Sequence, residues 1–246
     1  MDELTLDRSY KKGDAGPYVK LIQEWLCLRG INLVIDGDFG SATDSAVRKF
    51  QLVSTLSVDG RVGPITYSKL IEPLTTAMKP QAANGRSLNE MVAAYAQQQL
   101  KQNPREVGGQ NKGPWVRYYM RGNEGSEWPW CAGFISTLVI QACKSIRAVL
   151  PFILSDSCIE LAKNAKKKNL FLSEAKVSSA KSLLKPGYIF LNRKSPDQWT
   201  HTGIVIAVEK SIFHTIEGNT NDEGSAEGYE VCQRIRSYDG KDFIKI

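Results

Sequence analysis

The chain has 246 residues, 42% of them hydrophobic and 24% charged, which excludes a disordered, collagenous or coiled-coil protein as a description of the whole. Its net charge of +6 arises in residues 75–246, with 23 basic and 16 acidic side chains, but no basic stripe is interleaved with aromatic residues, so we expect no nucleic-acid partner. The longest apolar runs are far below the ~18 residues of a membrane span, so we also expect no stable membrane association.

An internal repeat dominates the first 74 residues. Residues 36–43 and 59–66 share the pattern D-G-x-Φ-G-x-x-T, in which Φ is an apolar residue. Each copy predicts a glycine turn followed by the start of a helix, and another helix is predicted between Pro17 and Gly30. We therefore expect three short helices that form a small bundle over residues 1–74.

This segment resembles the three-helix peptidoglycan-binding module of cell-wall hydrolases. The resemblance is carried by both copies of the repeat and by single residues of the predicted helices. Those residues are Gly13, Asp14, Gly16, Val19, Leu21, Gln23, Leu26, Ala46, Val47, Phe50 and Gln51. The resemblance implies that residues 1–74 bind bacterial peptidoglycan.

A linker and a second domain follow. Residues 75–86 lack a hydrophobic period and contain proline and glycine, which predicts a linker. Ser87 and Glu90 have the spacing of a capping box, which predicts the first helix of a second domain over residues 87–246.

Within the second domain, helices are predicted first and strands afterwards. After the capped helix, helices are predicted over residues 114–121, 131–147 and 155–168, and strands over 188–192, 201–208, 211–216, 231–236 and 243–246. Helices followed by an antiparallel sheet make an α+β domain.

The residues that usually bind metals are sparse. Cysteines occur at Cys27, Cys131, Cys143, Cys158 and Cys232, and their odd number and wide spacing favour reduced thiols. No pair has the Cys-x-x-Cys spacing of a zinc site, and the chain has two histidines. The Asp36-Gly37-Asp38 turn does not fit an EF-hand calcium loop, because Val47 stands at the twelfth position, where that loop needs Glu. We expect no metal and no cofactor.

Cys131 is the candidate nucleophile. It follows Pro129 and falls at the predicted start of a helix. Free N–H groups and the helix dipole at that end favour a thiolate and lower the pKa of the thiol. The backbone N–H of Cys131 is also free to help bind an oxyanion. The alternative interpretation is a buried helix cysteine, like Cys143 or Cys158.

His201, at the start of a predicted strand, is the candidate base that a thiolate nucleophile needs. A hairpin turn at residues 209–210 places it between Glu217 and Asn219 of the facing strand. Either side chain could orient the ring, and the carboxylate could also stabilise the imidazolium. The rival base is His214, but strand alternation puts it on the face opposite Glu217.

Four blocks of the second domain resemble the CHAP family, the cysteine, histidine-dependent amidohydrolases/peptidases. They occur in the family's order and are Trp130-Cys131-Ala132 and residues 186–190, 201–205 and 216–220. The resemblance implies a papain-like fold and cleavage of amide bonds in peptidoglycan peptides. By position it makes Cys131 the nucleophile, His201 the base, Glu217 the third member and Asn219 an auxiliary. The acidic calcium loop of some relatives has no counterpart before Cys131, so no structural calcium is expected.

Three further residues are candidates for substrate binding. Trp130 and Trp199 lie close in sequence to Cys131 and His201, and they either line a substrate groove or belong to the domain core. Gln110 begins a loop that we expect to border the cleft.

Both halves of the chain point to the same polymer. The sequence therefore predicts a monomeric peptidoglycan hydrolase that is either an N-acetylmuramoyl-L-alanine amidase or an endopeptidase. A phage endolysin is favoured over a toxin delivered by a secretion system and over an inactive wall-binding protein. Met1 to Arg8 has neither a basic start nor an apolar core, which predicts synthesis in the cytoplasm without a signal peptide and action at the wall after release or delivery.

Overall fold

The computed structural model describes residues 3–221 and 228–246; residues 1–2 and 222–227, which belong to the two predicted domain ranges, lie outside the described residues. In the described part, α-helices come first along the chain and the strands of an antiparallel sheet follow, with one α-helix between the first two strands, which confirms the predicted α+β class. The helices are α1 Pro17–Leu28, α2 Ser41–Val53, α3 Pro64–Leu70, α4 Glu72–Met78, α5 Leu88–Leu100, α6 Pro114–Tyr119, α7 Cys131–Ile146, α8 Cys158–Lys167 and α9 Glu174–Ser179. The strands are β1 Phe171–Leu172, β2 Ile189–Ser195, β3 Gln198–Val208, β4 Ile212–Thr220, β5 Glu230–Ser237 and β6 Lys241–Ile244.

The six strands form one sheet in the order β1-β6-β2-β3-β4-β5. Side chains of β2 alternate between two cores, as the period of a strand requires. Ile189 and Leu191 belong to the main core, which they share with α7. Phe190 belongs to a smaller cluster with Phe213 and Phe243. Helix α7 packs on β3 and β4, so the start of α7 lies beside the middle of the sheet.

A buried glutamine holds the first repeated turn. The Gln23 amide nitrogen donates to the Asp36 carboxylate at 2.7 Å, to the Asp38 carbonyl at 3.0 Å and to the Thr43 hydroxyl at 3.1 Å. Its oxygen accepts from the N–H of Gly37 at 2.8 Å. One side chain on α1 thus satisfies the polar groups of the turn that leads into α2.

The second repeated turn is built in the same way. The Gln51 amide nitrogen donates to Asp59 at 2.8 Å, to the Arg61 carbonyl at 2.9 Å and to the Thr66 hydroxyl at 3.3 Å, and its oxygen accepts from Gly60 at 2.9 Å. The repeat in the sequence therefore corresponds to a repeated hydrogen-bond arrangement, in which a helix fixes the start of the next one.

The sequence predicts three helices in the N-terminal bundle, but the structure has a fourth short helix, α4, after them. It runs into the first residues of the predicted linker and buries Leu74 and Ala77. The Ala77 carbonyl accepts from three glutamine side chains, Gln98 and Gln99 of α5 and Gln141 of α7. Residues 75–78 are therefore packed, and the domain limits at 74 and 87 stay predictions.

An ion cluster joins the N-terminal bundle to the rest of the protein. Arg117 of α6 pairs with Glu3, with Glu24 at 2.6 Å and with Glu124 at 2.7 Å. Trp25 of α1 packs edge-on against Trp115 beside it, with ring centroids 6.1 Å apart. Burial raises the pKa of Glu24 despite its pairing with Arg117.

Two glycines allow the close packing around the start of α7. A Cβ at Gly218 of β4 would lie 2.8 Å from the Trp130 ring, and one at Gly203 of β3 would lie 2.6 Å from the side chain of Glu217. Both separations are shorter than real Cβ contacts, so larger residues would displace these neighbours. Because neither glycine has a side chain, Trp130 at the start of α7 packs closely against β4, and the side chain of Glu217 packs closely against β3.

We predict that Gln23→Leu, a change of similar side-chain size, lowers the free energy of unfolding by about 1–3 kcal/mol, because it leaves buried polar groups of the turn without partners. Urea unfolding followed by circular dichroism measures this change. Gln51→Leu should have a similar effect. Lys49→Ala on the exposed face of α2 is the matched control and should change stability by less than about 0.5 kcal/mol. An unchanged midpoint for Gln23→Leu would show that the glutamine does not hold the turn.

Candidate active site

Cys131 is the first residue of α7, as the sequence predicts, and its side chain is buried. Trp130 precedes it as the N-cap residue and provides no side-chain cap. The free N–H groups of the first turn are therefore near the sulfur, and a hydrogen bond from the N–H of Ala132 helps to lower the pKa of the thiol.

A second thiol contacts the first. The Sγ atom of Cys158, the first residue of α8, lies 3.8 Å from the Sγ atom of Cys131. This hydrogen bond is the largest influence on Cys131 and, with His201, outweighs burial, so the pKa of Cys131 lies well below its usual value. The pKa of Cys158 is raised well above its usual value by the same hydrogen bond and by burial. The opposite directions of the two pKa shifts favour Cys131 over Cys158 as the thiolate of the pair.

His201 and Glu217 form a buried pair. The imidazole Nε2 and the Glu217 Oε2 are 2.8 Å apart. Burial alone would lower the pKa of His201, but the nearby Cys131 sulfur and the Glu217 carboxylate raise it to about 9. His201 is therefore an imidazolium at neutral pH, paired with two anions.

Two groups hold the Glu217 carboxylate in place. Arg236 of β5 donates to it from Nε at 2.8 Å and from Nη2 at 2.5 Å, and the Thr215 hydroxyl donates to it at 2.5 Å. Burial raises the pKa of Glu217, but the hydrogen bonds from Arg236 and His201 outweigh it and lower the pKa to about 2. The carboxylate is ionised although no part of it is exposed.

The two ring nitrogens of His201 have different surroundings. Nε2 is committed to Glu217, whereas Nδ1 is buried and has no hydrogen-bond partner among the described protein groups. Since interaction with Cys131 contributes to the raised pKa of the ring, Nδ1 is the nitrogen available to exchange a proton with that sulfur. The arrangement is that of a thiolate–imidazolium pair oriented by a carboxylate.

The hairpin register differs by one residue from the prediction. Ile204 pairs with Ile216 and Val205 with Thr215, and an irregularity follows before the next pair. His201 consequently reaches Glu217 diagonally across the two strands rather than from the adjacent position. Diagonal neighbours share a face of the sheet and lie within reach of long side chains. Because a one-residue shift moves side chains to the other face, the observed register is the one that puts Glu217 on the same face as His201.

A cavity of about 480 Å³ opens beside the sulfur pair. Cys131, Cys158 and Trp199 line it together with Trp128, which is 36% exposed. A substrate carbonyl can approach Cys131 from this side.

The two tryptophans predicted to bind substrate have different surroundings. Trp130 is fully buried, stacks on Tyr119 at 5.4 Å and donates to Glu106 at 2.8 Å, so it packs in the core beside the nucleophile. Trp199 is also buried and donates to Asp242 at 2.9 Å, but it lines the cavity. Its role as a substrate contact stays a prediction.

Gln110 and Asn219 have surroundings that differ from those of the Cys131–His201–Glu217 group. Gln110 is exposed and is not among the described residues that line the cavity. Asn219 follows Glu217 in β4 with a left-handed φ of 55°, and its buried amide has no hydrogen-bond partner in the described ranges 3–221 and 228–246. The auxiliary role of Asn219 stays a prediction.

The rival base lies elsewhere. His214 pairs with Ala207 across the hairpin, is partly exposed, and bonds to Glu209 at 2.7 Å. The structure therefore brings His201, and not His214, close to Cys131.

Cys158 and Arg236 are two residues of the site that the sequence analysis missed. The predicted helix over 155–168 starts three residues too early and places Cys158 inside the helix, whereas Ser157 caps α8 and makes Cys158 its first residue. A serine cap directly before a cysteine is the signal that could have found it. Arg236 lies on β5, and no spacing rule indicates its register against β4.

The described residues meet the requirements of neither a metal site nor a membrane-spanning helix. Over residues 3–221 and 228–246, no group of three or more His, Cys, Asp or Glu side chains is arranged to hold a metal ion. None of the helices in this part of the chain is long and apolar enough to cross a membrane.

The N-terminal bundle matches a known family. Residues 15–70 fit the family model described as "Putative peptidoglycan binding domain". The similarity to that family is therefore confined to residues 15–70. The match spans α1, α2 and α3 and includes both glutamine-held turns.

Curated relatives share limited stretches with the chain. The zinc D-Ala-D-Ala carboxypeptidase of Streptomyces albus G is 46% identical over 43 residues, which are 18% of this chain and 17% of that protein. An uncharacterized protein in the bpoA1 3' region of Kitasatospora aureofaciens is 40% identical over 68 residues, which are 27% of this chain and 58% of that protein. The chain thus spans less than two thirds of the length of either relative.

Solved structures with similar stretches include a peptidoglycan-binding protein from Clostridioides difficile in complex with glutamine hydroxamate. It is 41% identical, with a TM-score of 0.26, over 28% of this chain and 42% of that chain. The Burkholderia AP3 phage endolysin is 30% identical, with a TM-score of 0.25, over 36% of each chain.

We predict that Glu217→Gln moves the pH profile of Cys131 alkylation to higher pH by about one unit or more. Removing the carboxylate charge lowers the pKa of His201, and the weaker imidazolium then stabilises the Cys131 thiolate less. In the wild type, the thiolate–imidazolium pair should persist up to about pH 9, where His201 loses its proton. The measurement is the rate of iodoacetamide labelling at Cys131 by peptide mass, from pH 4 to pH 10.

Glu209→Gln is the matched control for this profile, because it makes the same change beside the other histidine, His214. It should leave the profile at Cys131 unchanged, and circular dichroism checks that both variants are folded. If Asn219→Ala shifts the profile and Glu217→Gln does not, the third member of the site is Asn219.

Proposed function

We propose that the protein is a peptidoglycan hydrolase that cleaves an amide bond of the wall peptide with Cys131 as nucleophile. The observation that carries the proposal is the contact of His201 with Glu217 beside the helix-start thiol of Cys131, in a chain with a peptidoglycan-binding domain. The CHAP resemblance of the sequence assigns the same three residues to the same chemistry.

In the proposed reaction, the Cys131 thiolate attacks the amide carbonyl carbon. The carbonyl oxygen becomes an oxyanion, and the backbone N–H of Cys131 at the start of α7 donates to it. His201 gives its proton to the leaving nitrogen as the C–N bond breaks, so an amine departs and a thioester remains on Cys131. Neutral His201 then takes a proton from water, the hydroxide attacks the thioester, and the carboxylic acid product leaves with the thiolate restored.

Glu217 acts through His201. Its bond to Nε2 fixes the ring so that Nδ1 is left for the sulfur, and its charge stabilises the imidazolium on which proton transfer depends. Arg236 keeps the carboxylate ionised and oriented. These two residues therefore position the base and need not touch the substrate.

The N-terminal domain supplies the substrate class in this proposal. It would hold the enzyme on peptidoglycan, and the basic excess of residues 75–246 favours an anionic polymer. Digestion of purified peptidoglycan with mass analysis separates the two candidate bonds. New muramic-acid lactyl ends indicate an amidase, and new peptide amines with intact lactyl linkage indicate an endopeptidase. The phage endolysin role stays a prediction.

We predict that Cys131→Ala abolishes lysis of purified walls while the full-length variant still sediments with insoluble peptidoglycan. Loss of the sulfur removes the nucleophile, whereas the N-terminal domain is unchanged. Turbidity of a wall suspension measures lysis, and protein in the pellet measures binding, with chitin as the control polymer.

Cys143→Ser is the control for lysis, because Cys143 lies on the same helix and outside the site. It should retain the wild-type rate. Lysis by Cys131→Ala would refute the mechanism, and equal sedimentation with chitin and peptidoglycan would refute the assigned wall binding. A wild type that binds but releases no fragments would instead be an inactive wall-binding protein.

We further predict that lysis resists EDTA and stops after alkylation with iodoacetamide, because the proposed nucleophile, base and orienting carboxylate are all protein side chains. Turbidity assays with each reagent test this directly. Loss of lysis in EDTA that zinc or calcium restores would show that a metal takes part, and the zinc carboxypeptidase relative makes zinc the first metal to add back.

A further inference from the structure

The proposed hydrolysis uses one sulfur, that of Cys131, and no step of it requires the second sulfur of Cys158. Their Sγ atoms are 3.8 Å apart, and both cysteines are free. A disulfide bond is about 2.05 Å long, so the sulfurs need to approach by about 1.8 Å to become bonded. The two cysteines are 27 residues apart in the sequence and belong to different helices, α7 and α8, which bring them together.

Both sulfurs can be reached by a small oxidant. Cys131 and Cys158 are buried, at 4% and 7% exposure, but both line the cavity of about 480 Å³ that also contacts Trp128 and Trp199. Hydrogen peroxide is close to water in size, so a cavity of this volume admits it.

The two helix starts favour attack on peroxide by one sulfur of the pair. Cys131 and Cys158 are the first residues of α7 and α8, so the positive ends of both helix dipoles meet at the sulfurs. A thiolate is the form that reacts with peroxide, and the pKa of Cys131 is lowered while that of Cys158 is raised. These directions favour Cys131 for the reactive role and Cys158 for the resolving role.

We propose that Cys158 is a resolving thiol, which converts peroxide-oxidised Cys131 into a reversible Cys131–Cys158 disulfide and so protects the nucleophile from permanent oxidation. In the first step the Cys131 thiolate attacks one oxygen of hydrogen peroxide. The O–O bond breaks, a sulfenic acid forms on Cys131, and the released hydroxide takes a proton to become water.

In the second step the Cys158 sulfur attacks the sulfenic sulfur. The S–O bond breaks, the S–S bond forms, and the departing hydroxide leaves as water with the proton of the Cys158 thiol. Two thiols are oxidised and one peroxide is reduced to two waters. A dithiol such as dithiothreitol reverses the bond by exchange and returns both thiols.

The loss of hydrolysis on oxidation depends on the proposed function, but the thiol chemistry does not. Its test therefore uses mass rather than activity as the deciding measurement. The reduced full-length protein is treated with hydrogen peroxide, blocked with iodoacetamide, digested and mapped by mass spectrometry, with and without later dithiothreitol.

We expect the wild type to lose about 2 Da and to give a cross-linked peptide that contains Cys131 and Cys158. Cys27, Cys143 and Cys232 should remain open to alkylation, and dithiothreitol should release both linked thiols. Wall lysis should fall in proportion to the disulfide formed and recover with the thiols.

Cys158→Ser should form no such cross-link and should instead gain about 32 Da at Cys131, as a sulfinic acid that dithiothreitol does not reverse. Cys143→Ser, the matched change on α7, should behave as the wild type does. If Cys158→Ser does not fold, the peptide mass map of the peroxide-treated wild type tests the proposal by itself.

The proposal is overturned if wild-type Cys131 accumulates sulfinic acid while Cys158 remains alkylatable, or if Cys131 pairs with another cysteine. If the reduced wild type does not lyse walls but peroxide still forms the Cys131–Cys158 cross-link, the proposed thiol chemistry is supported and the proposed hydrolase function is refuted.

Discussion

A row of buried charges of alternating sign underlies the site. Arg236, Glu217, His201 and Cys131 follow one another, and each charge is neutralised by the next. An isolated ion in such a place would cost several kcal/mol, and the group would neutralise instead. Because the row begins with an arginine, which keeps its proton, the carboxylate remains ionised, the imidazole protonated and the sulfur anionic.

The sheet and helices can be understood as the means of assembling this row. β5 supplies the arginine, β4 the carboxylate and β3 the imidazole, so neighbouring strands place three of the charges side by side. The fourth comes from the start of α7, which approaches β4 over Gly218. A shift of the helix away from the sheet would separate the sulfur from the ring without disturbing any strand.

Local signals made most of this arrangement predictable. A proline before a periodic apolar stretch indicated the helix start at Cys131, and the predicted hairpin placed Glu217 and Asn219 on either side of the position opposite His201. The observed register is shifted by one residue, and this shift puts Glu217 on the face of His201, because a one-residue shift moves side chains to the other face of a strand. The place of Cys158 depends on a helix start three residues after the predicted one, and the place of Arg236 depends on the pairing of β5 with β4. Neither follows from the spacing of residues in one strand or helix.

The Arg117 cluster has a consequence for movement on a surface. Its partners Glu3 and Glu24 belong to the N-terminal region, and separating them from Arg117 would leave the buried Glu24 carboxylate without its arginine partner. If residues 15–70 grip the wall as proposed, Cys131 stands at a set span from that grip. On the proposed function, an enzyme with a hinge between its wall anchor and its active site could reach many bonds around the anchor, whereas an enzyme held at one distance would cleave at that distance and would have to release and rebind to reach the next bond.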